Sequence, residues 1–186
     1  EYRQTRINEL KKGSDFTKMI GVTDVATHVG FLPEVPTTTE YHKLVIALRG
    51  LAEYIKANGQ YFLFETGQET PITLKRTIED VGAGNLGINL DPANLILYGK
   101  ANPVDALDVF GEYVRGIHGK DGLYPTNGHE LGKEAKIGDG KVNYPEFVKK
   151  LKSVGYDGAI IIEREISGDE QTADIIYAKK LLETLV

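Results

Sequence analysis

Short apolar runs and amphipathic segments alternate along almost the whole of this chain, and that alternation limits the folds open to it. Residues 5–20 read as a helix through Ile7, Leu10, Phe16, Met19 and Ile20, with Gly13 weakening its middle. Strand-like runs are expected at Val22–Val29, Tyr61–Phe64, Leu86–Leu90, Val114–Ile117 and Ala159–Ile162. Helices fall between them: 38–58, capped at Thr38 or Thr39 and stopped by Asn58-Gly59; a helix opened by Pro71 and running to about Val81; then 103–111, 144–153 and 170–185. Strand then helix, repeated, predicts parallel strands joined by right-handed crossovers. The longest irregular stretch is 119–141, with six glycines among 23 residues; a short strand near Ala135–Ile137 fits within it.

Parallel strands send their carboxyl ends to one edge of the sheet, so residues there converge. Four of the apolar runs end in Glu65, Asp91, His118 and Glu163. Any one of these alone is equally what a helix cap or a polar strand end supplies. Four together make an oxygen-rich set with one imidazole, which suits Mn²⁺, Mg²⁺ or Co²⁺, with Zn²⁺ as a further candidate. A divalent ion would also offset the repulsion between carboxylates gathered at one edge. Cysteine is absent, which excludes thiolate chemistry and disulfides. A net charge of −5 without a basic cluster argues against a nucleic-acid surface. No 18-residue apolar span or signal peptide is present, so a cytoplasmic protein with no membrane partner is expected.

In order, Phe-Glu-Thr (64–66), Asn-Leu-Asp-Pro-Ala-Asn (89–94), His-Gly-Lys-Asp (118–121), Ile-Gly-Asp-Gly-Lys-Val-Asn (137–143) and Gly-Tyr-Asp-Gly (155–158) leading to Ile-Glu (162–163) follow one another along the chain. This series resembles the sugar phosphate isomerase/epimerase family, whose members include ketose 3-epimerases and hydroxypyruvate isomerase. The resemblance implies an α/β fold of the (β/α)₈ TIM-barrel type, the xylose-isomerase-like barrel. It implies Glu65, Asp91, His118 and Glu163 as metal ligands, with Glu65 and Glu163 also the catalytic acid/base pair. It starts after the family's second strand, and a closed barrel takes about 250 residues. The expectation is one domain over residues 1–186, a barrel incomplete at the amino end with about strands 3 to 8 present. The activity implied is isomerisation or epimerisation of a small sugar or polyol through an enediolate. A dehydratase of the same superfamily is the nearest alternative, and an inactive barrel fragment that pairs with another copy of itself is the non-enzymatic one.

A recognition shell is expected around that core. His28 closes the first strand and should face the same rim; Glu69 is either a helix-start carboxylate or a substrate contact; Lys120 and Asp121 either orient substrate or pair at the loop base. Against the ketose epimerases two positions depart: Asn94 stands where they have histidine, and Tyr124 where they have arginine. Asn94 remains a candidate substrate contact. Glu165 rivals Glu163, because alternation puts both on one side of the strand, and the resemblance favours Glu163. Gly138-Asp139-Gly140 lacks the spacing of a phosphate loop and reads as a tight turn into the helix at 144, with Asn143 as its cap.

Overall fold

The computed structural model describes residues 2–186. Its elements, in order, are α1 (Tyr2–Met19), β1 (Asp24–Thr27), α2 (Thr39–Ala57), β2 (Tyr61–Glu65), α3 (Pro71–Val81), β3 (Leu86–Leu90), α4 (Pro92–Leu97) and α5 (Pro103–Phe110). A 3₁₀ turn (Gly111–Tyr113) then leads to β4 (Val114–Gly119), β5 (Asp121–Leu123), β6 (Lys133–Ala135), α6 (Tyr144–Ser153), β7 (Ile160–Ile162) and α7 (Asp169–Glu183). Five strands form one parallel sheet in the order β1-β2-β3-β4-β7, a half-barrel of the TIM type.

The local signals act where the sequence places them. The Thr70 hydroxyl accepts from Thr73 N at the start of α3, Pro71 occupies the first turn, and Gly82, at φ 62°, ends the helix in the left-handed region. Thr38 is the α2 cap. Asn143 stands at the N-cap of α6, but its side chain makes no capping bond. Gly13 does not interrupt α1. The first strand is shorter than expected, four residues in place of eight, so His28 lies just beyond it.

Two elements depart from expectation. The strand sought at 135–137 forms at 133–135 and pairs antiparallel with β5, outside the parallel sheet, so the barrel has five strands among the described residues and not six. The other is α4, a six-residue helix that starts at once after β3. It is apolar almost throughout and too short for a 3.6-residue period to show.

Alternation sorts the strand residues onto two faces. Phe62, Phe64, Ile88, Leu90 and Ile117 are buried in one core with helix residues such as Leu48, Ile55, Leu74, Ile78, Leu107 and Phe147. The opposite parity belongs to Glu65, Asn89, Asp91, His118 and Glu163, which therefore share the concave face near the carboxyl ends of their strands. Burying so many aliphatic and aromatic side chains, at about 25 cal/mol per Å² of apolar surface, is what holds that face in place.

Candidate metal centre

Glu65 is the last residue of β2, Asp91 follows β3, His118 is in β4, and Glu163 follows β7. One ligand atom from each lies within 4.8 Å of all the others. His118 Nδ1 is the hub: it is 2.8 Å from Glu163 Oε2, 3.3 Å from Glu65 Oε1 and 4.0 Å from Asp91 Oδ2. Strand order puts Glu65 on one side of Asp91 and His118, and Glu163 on the other.

Asp91 has two separate tasks. Its Oδ1 accepts from Ala93 N and Asn94 N and so caps α4. Its Oδ2 is buried and accepts no hydrogen bond; the His118 Nδ1 atom, also buried, likewise makes none of acceptable direction. Thr66 holds the aspartate in place, donating from Oγ1 to Asp91 O and accepting from Asp91 N. Neither atom has a well-directed hydrogen bond, although His118 Nδ1 lies 2.8 Å from Glu163 and Asp91 Oδ2 3.7 Å from Lys120, and three carboxylates gathered around them repel one another unless a cation joins them. Three carboxylates and an imidazole are donors suited to a divalent cation, so the residues fit such an ion.

The electrostatics agree. Burial pushes the Asp91 carboxyl up to about 6, against the pull of Lys120 and the Asn94 amide. Burial also raises Glu65, but His118, His28 and Lys120 outweigh it and leave the carboxyl below its ordinary value. The Glu65 carboxylate raises the His118 imidazole, and burial only partly opposes it.

The remaining candidates separate into those at the site and those elsewhere. His28 Nε2 is 3.5 Å from Glu65 Oε1, and the side chain is half exposed. Lys120 is buried, with Nζ 3.0 Å from Glu165, 3.4 Å from Glu163 and 3.7 Å from Asp91. Burial lowers its pKa, but these carboxylates reverse the effect and hold the ammonium charged. Asn94 lines the site while donating Nδ2 to Thr66 O. All three border a cavity of about 770 Å³ together with Glu65, His118 and Glu163. Glu165 lines it too and also reaches Lys120, but unlike Glu163 it is not one of the four clustered residues.

Glu69 borders an adjoining cavity of about 210 Å³ that shares His28, Glu65 and Tyr98 with the first. It is buried, accepts from Gly67 N, and its pKa is raised by burial. It is not the helix cap, because Thr70 is. Asp121 does not reach the site. Its side chain is fully buried, and its oxygens accept from the amides of Gly122, Gly138, Gly140 and Val142. Of the two roles expected, substrate contact or loop-base partner, the four amides favour the second, since they hold the carboxylate in the loop. Gly140 has no room for a Cβ, which would stand 2.0 Å from Asp121 Oδ1. Tyr124 is also elsewhere, donating its hydroxyl to Ala101 O.

The sequence reading missed Asn89. This polar side chain lies inside a buried strand, with its Nδ2 3.0 Å from His118 Nε2. A signal was present: Gly116 sits within strand β4, where an isolated glycine often marks a close approach.

Residues 1–184 match the xylose isomerase-like TIM barrel family. The chain belongs to that family. Its fold matches a crystal structure of a xylose isomerase domain protein from Planctomyces limnophilus with TM-score 0.91 and 38% identity, covering 98% of this chain and 64% of that one. A D-tagatose 3-epimerase-like protein shares the fold with TM-score 0.74 and 23% identity, over 98% of this chain and 69% of its own. An uncharacterized protein of Methanocaldococcus jannaschii is 28% identical over 170 residues, which is 85% of this chain and 54% of the relative. The chain thus spans about half the length of the curated relative it matches. Among the described residues, no helix is long and apolar enough to cross a membrane.

Proposed function

We propose that the four-residue centre binds a divalent metal ion and serves an isomerase or epimerase of a small sugar or polyol derivative. The observation that carries this reading is the pair of buried atoms without hydrogen bonds, Asp91 Oδ2 and His118 Nδ1, within reach of Glu65 and Glu163. When bound, the ion would supply Lewis-acid stabilisation of the negative charge that develops on substrate oxygens.

The chain's own residues supply the rest. Removing a proton from a carbon beside a carbonyl leaves an enediolate, and a carboxylate within reach must take that proton. Glu65 and Glu163, contributed by strands on either side of Asp91 and His118, would act in turn. One abstracts, and the other returns a proton to the opposite face for epimerisation or to the neighbouring carbon for isomerisation. The Lys120 ammonium, held charged between Asp91, Glu163 and Glu165, keeps Glu163 oriented and adds positive charge where the oxyanion forms.

A cavity of about 770 Å³ has the size of a small-molecule site. Its lining supplies His28, Asn94 and Glu134 as polar contacts, with Leu97, Leu131 and Ile161 as apolar walls. Asn94 offers its carbonyl oxygen, its amide nitrogen being engaged by Thr66. With Tyr124 turned to Ala101, the arginine position of the ketose epimerases has no counterpart at the cavity. The substrate is therefore expected to differ from a free ketohexose.

The test is metal binding first, then exchange. Mn²⁺ should bind at one site per chain. With it bound, a panel of ketoses, their phosphates and inososes in D₂O should include a compound that gains deuterium at the carbon beside its carbonyl. Loss of water in the product would reassign the reaction as dehydration. Saturable binding with no exchange across the panel would overturn the isomerase reading.

A further inference from the structure

Asn89 and Gly116 stand opposite one another in the sheet register. They do so because the pairing shifts between Ile88 and Asn89: β3 advances one residue while β4 advances from Val114 to Gly116. An extra residue in one strand re-aims side chains locally and is often found beside active sites. Here it brings the Asn89 amide over Gly116. A Cβ on Gly116 would stand 2.5 Å from Asn89 Oδ1, so only glycine leaves the amide its place. The other end of the amide reaches His118 Nε2, at 3.0 Å.

That contact bears directly on which nitrogen of His118 can bind a cation. Nδ1 is the ring atom facing Glu65, Asp91 and Glu163. A neutral imidazole carries one proton, and Nδ1 offers a lone pair only if the proton sits on Nε2. An Nε2–H group needs an acceptor beside it. The amide can supply one, because a half-turn about its Cβ–Cγ bond exchanges Nδ2 for Oδ1.

We propose that Asn89 is a positioning residue that selects the metal-binding tautomer of His118: its Oδ1 accepts from Nε2–H, leaving Nδ1 bare towards the three carboxylates. Gly116 and the register shift exist to seat that amide. This inference rests on the metal reading above. Ligand histidines depend on an outer partner of this kind, and its loss typically weakens metal binding by about ten- to a hundredfold.

The test uses the full chain labelled with ¹⁵N at histidine and titrated with Zn²⁺, which is diamagnetic. In the loaded wild type, His118 should show a protonated Nε2 whose proton exchanges slowly with water. Asn89→Leu should weaken Zn²⁺ at least tenfold and make that proton exchange fast. Asn89→Asp, an acceptor without donors, should keep the slow proton and bind within threefold of wild type or more tightly. Gly116→Ala should behave like Asn89→Leu, and it provides a second route if the leucine variant fails to fold. Zn²⁺ affinity within twofold of wild type in Asn89→Leu, or in Gly116→Ala where that variant replaces it, would overturn the inference and leave the metal reading standing. No saturable Zn²⁺ binding by the wild type would overturn both.

Discussion

Asp91 and Asp121 are both fully buried, yet they are used in opposite ways. Four backbone amides donate to Asp121, and through it the turn at 138–142 is tied to the foot of the β5–β6 hairpin. Asp91 gives one oxygen to the α4 amides and keeps the other without a hydrogen bond, facing His118 and Lys120. Burial raises the pKa of both. What separates them is the kind of partner. Backbone amides are fixed and complete, and they make Asp121 a structural clamp. Side chains that are themselves charged leave Asp91 incomplete, which is the condition of a binding site.

The largest effect should come from breaking the clamp. Asp121→Ala leaves four amides without their acceptor and should cost about 3–5 kcal/mol in urea unfolding. A cost below about 1 kcal/mol would mean that water replaces the carboxylate, and the contrast between the two aspartates would collapse. Asp91→Asn should do the reverse. The amide oxygen can still cap α4, so stability should stay within about 1 kcal/mol of wild type. Divalent-metal affinity, read by calorimetry, should nevertheless fall on the order of a hundredfold.

Glu163→Gln should weaken the same binding by about tenfold or more, since it removes one charge from a cluster residue less buried than Asp91. Glu165→Gln provides the contrast. Its carboxylate lies outside the cluster, so affinity should change less than about threefold. An equal loss in both variants would show that Glu165 shares the ligand role.

The mildest perturbation is pH. Metal binding requires Asp91 ionised and His118 neutral, and both groups hold their titrating protons more tightly than usual. Protons therefore compete, and affinity should fall as pH drops through about 6, the value to which Asp91 is raised. Each proton displaced contributes up to about a tenfold change per pH unit. A flat profile between pH 5 and pH 7, followed by calorimetry in buffers of different ionisation enthalpy, would mean that the ligands are already deprotonated, and hence that their environment is less buried than the fold implies.

Much of this was legible in the chain. The run at 61–64 is apolar throughout, as parallel strands covered by helices tend to be, and the Thr70-Pro71 and Asn102-Pro103 starts are local chemistry that needs no distant partner. Strand ends and strand direction make Glu65, Asp91 and His118 readable, but parity leaves Glu163 and Glu165 level, and the family resemblance chose Glu163. Helix α4 was not legible, since it spans fewer than two turns of apolar residues. Nor was the division of labour between neighbours. Lys120 and Asp121 are adjacent in sequence, but one turns to the carboxylates of the site and the other to the amides of a loop some 20 residues further on.

By itself the sequence determined the order of the five parallel strands and of the longer helices, the family, and the four residues that meet at the rim. Each of these follows from periodicity, parity or a local motif. Tertiary structure alone decided that Asp91 keeps an oxygen free while Asp121 does not, that Asn89 lies against His118, and that residue 135 belongs to a hairpin outside the barrel. These outcomes depend on which distant backbone amide or side chain arrives beside a given atom. Hydrogen bonds reach only about 3 Å, so a one-residue shift in strand register, such as that between Ile88 and Asn89, is enough to decide them.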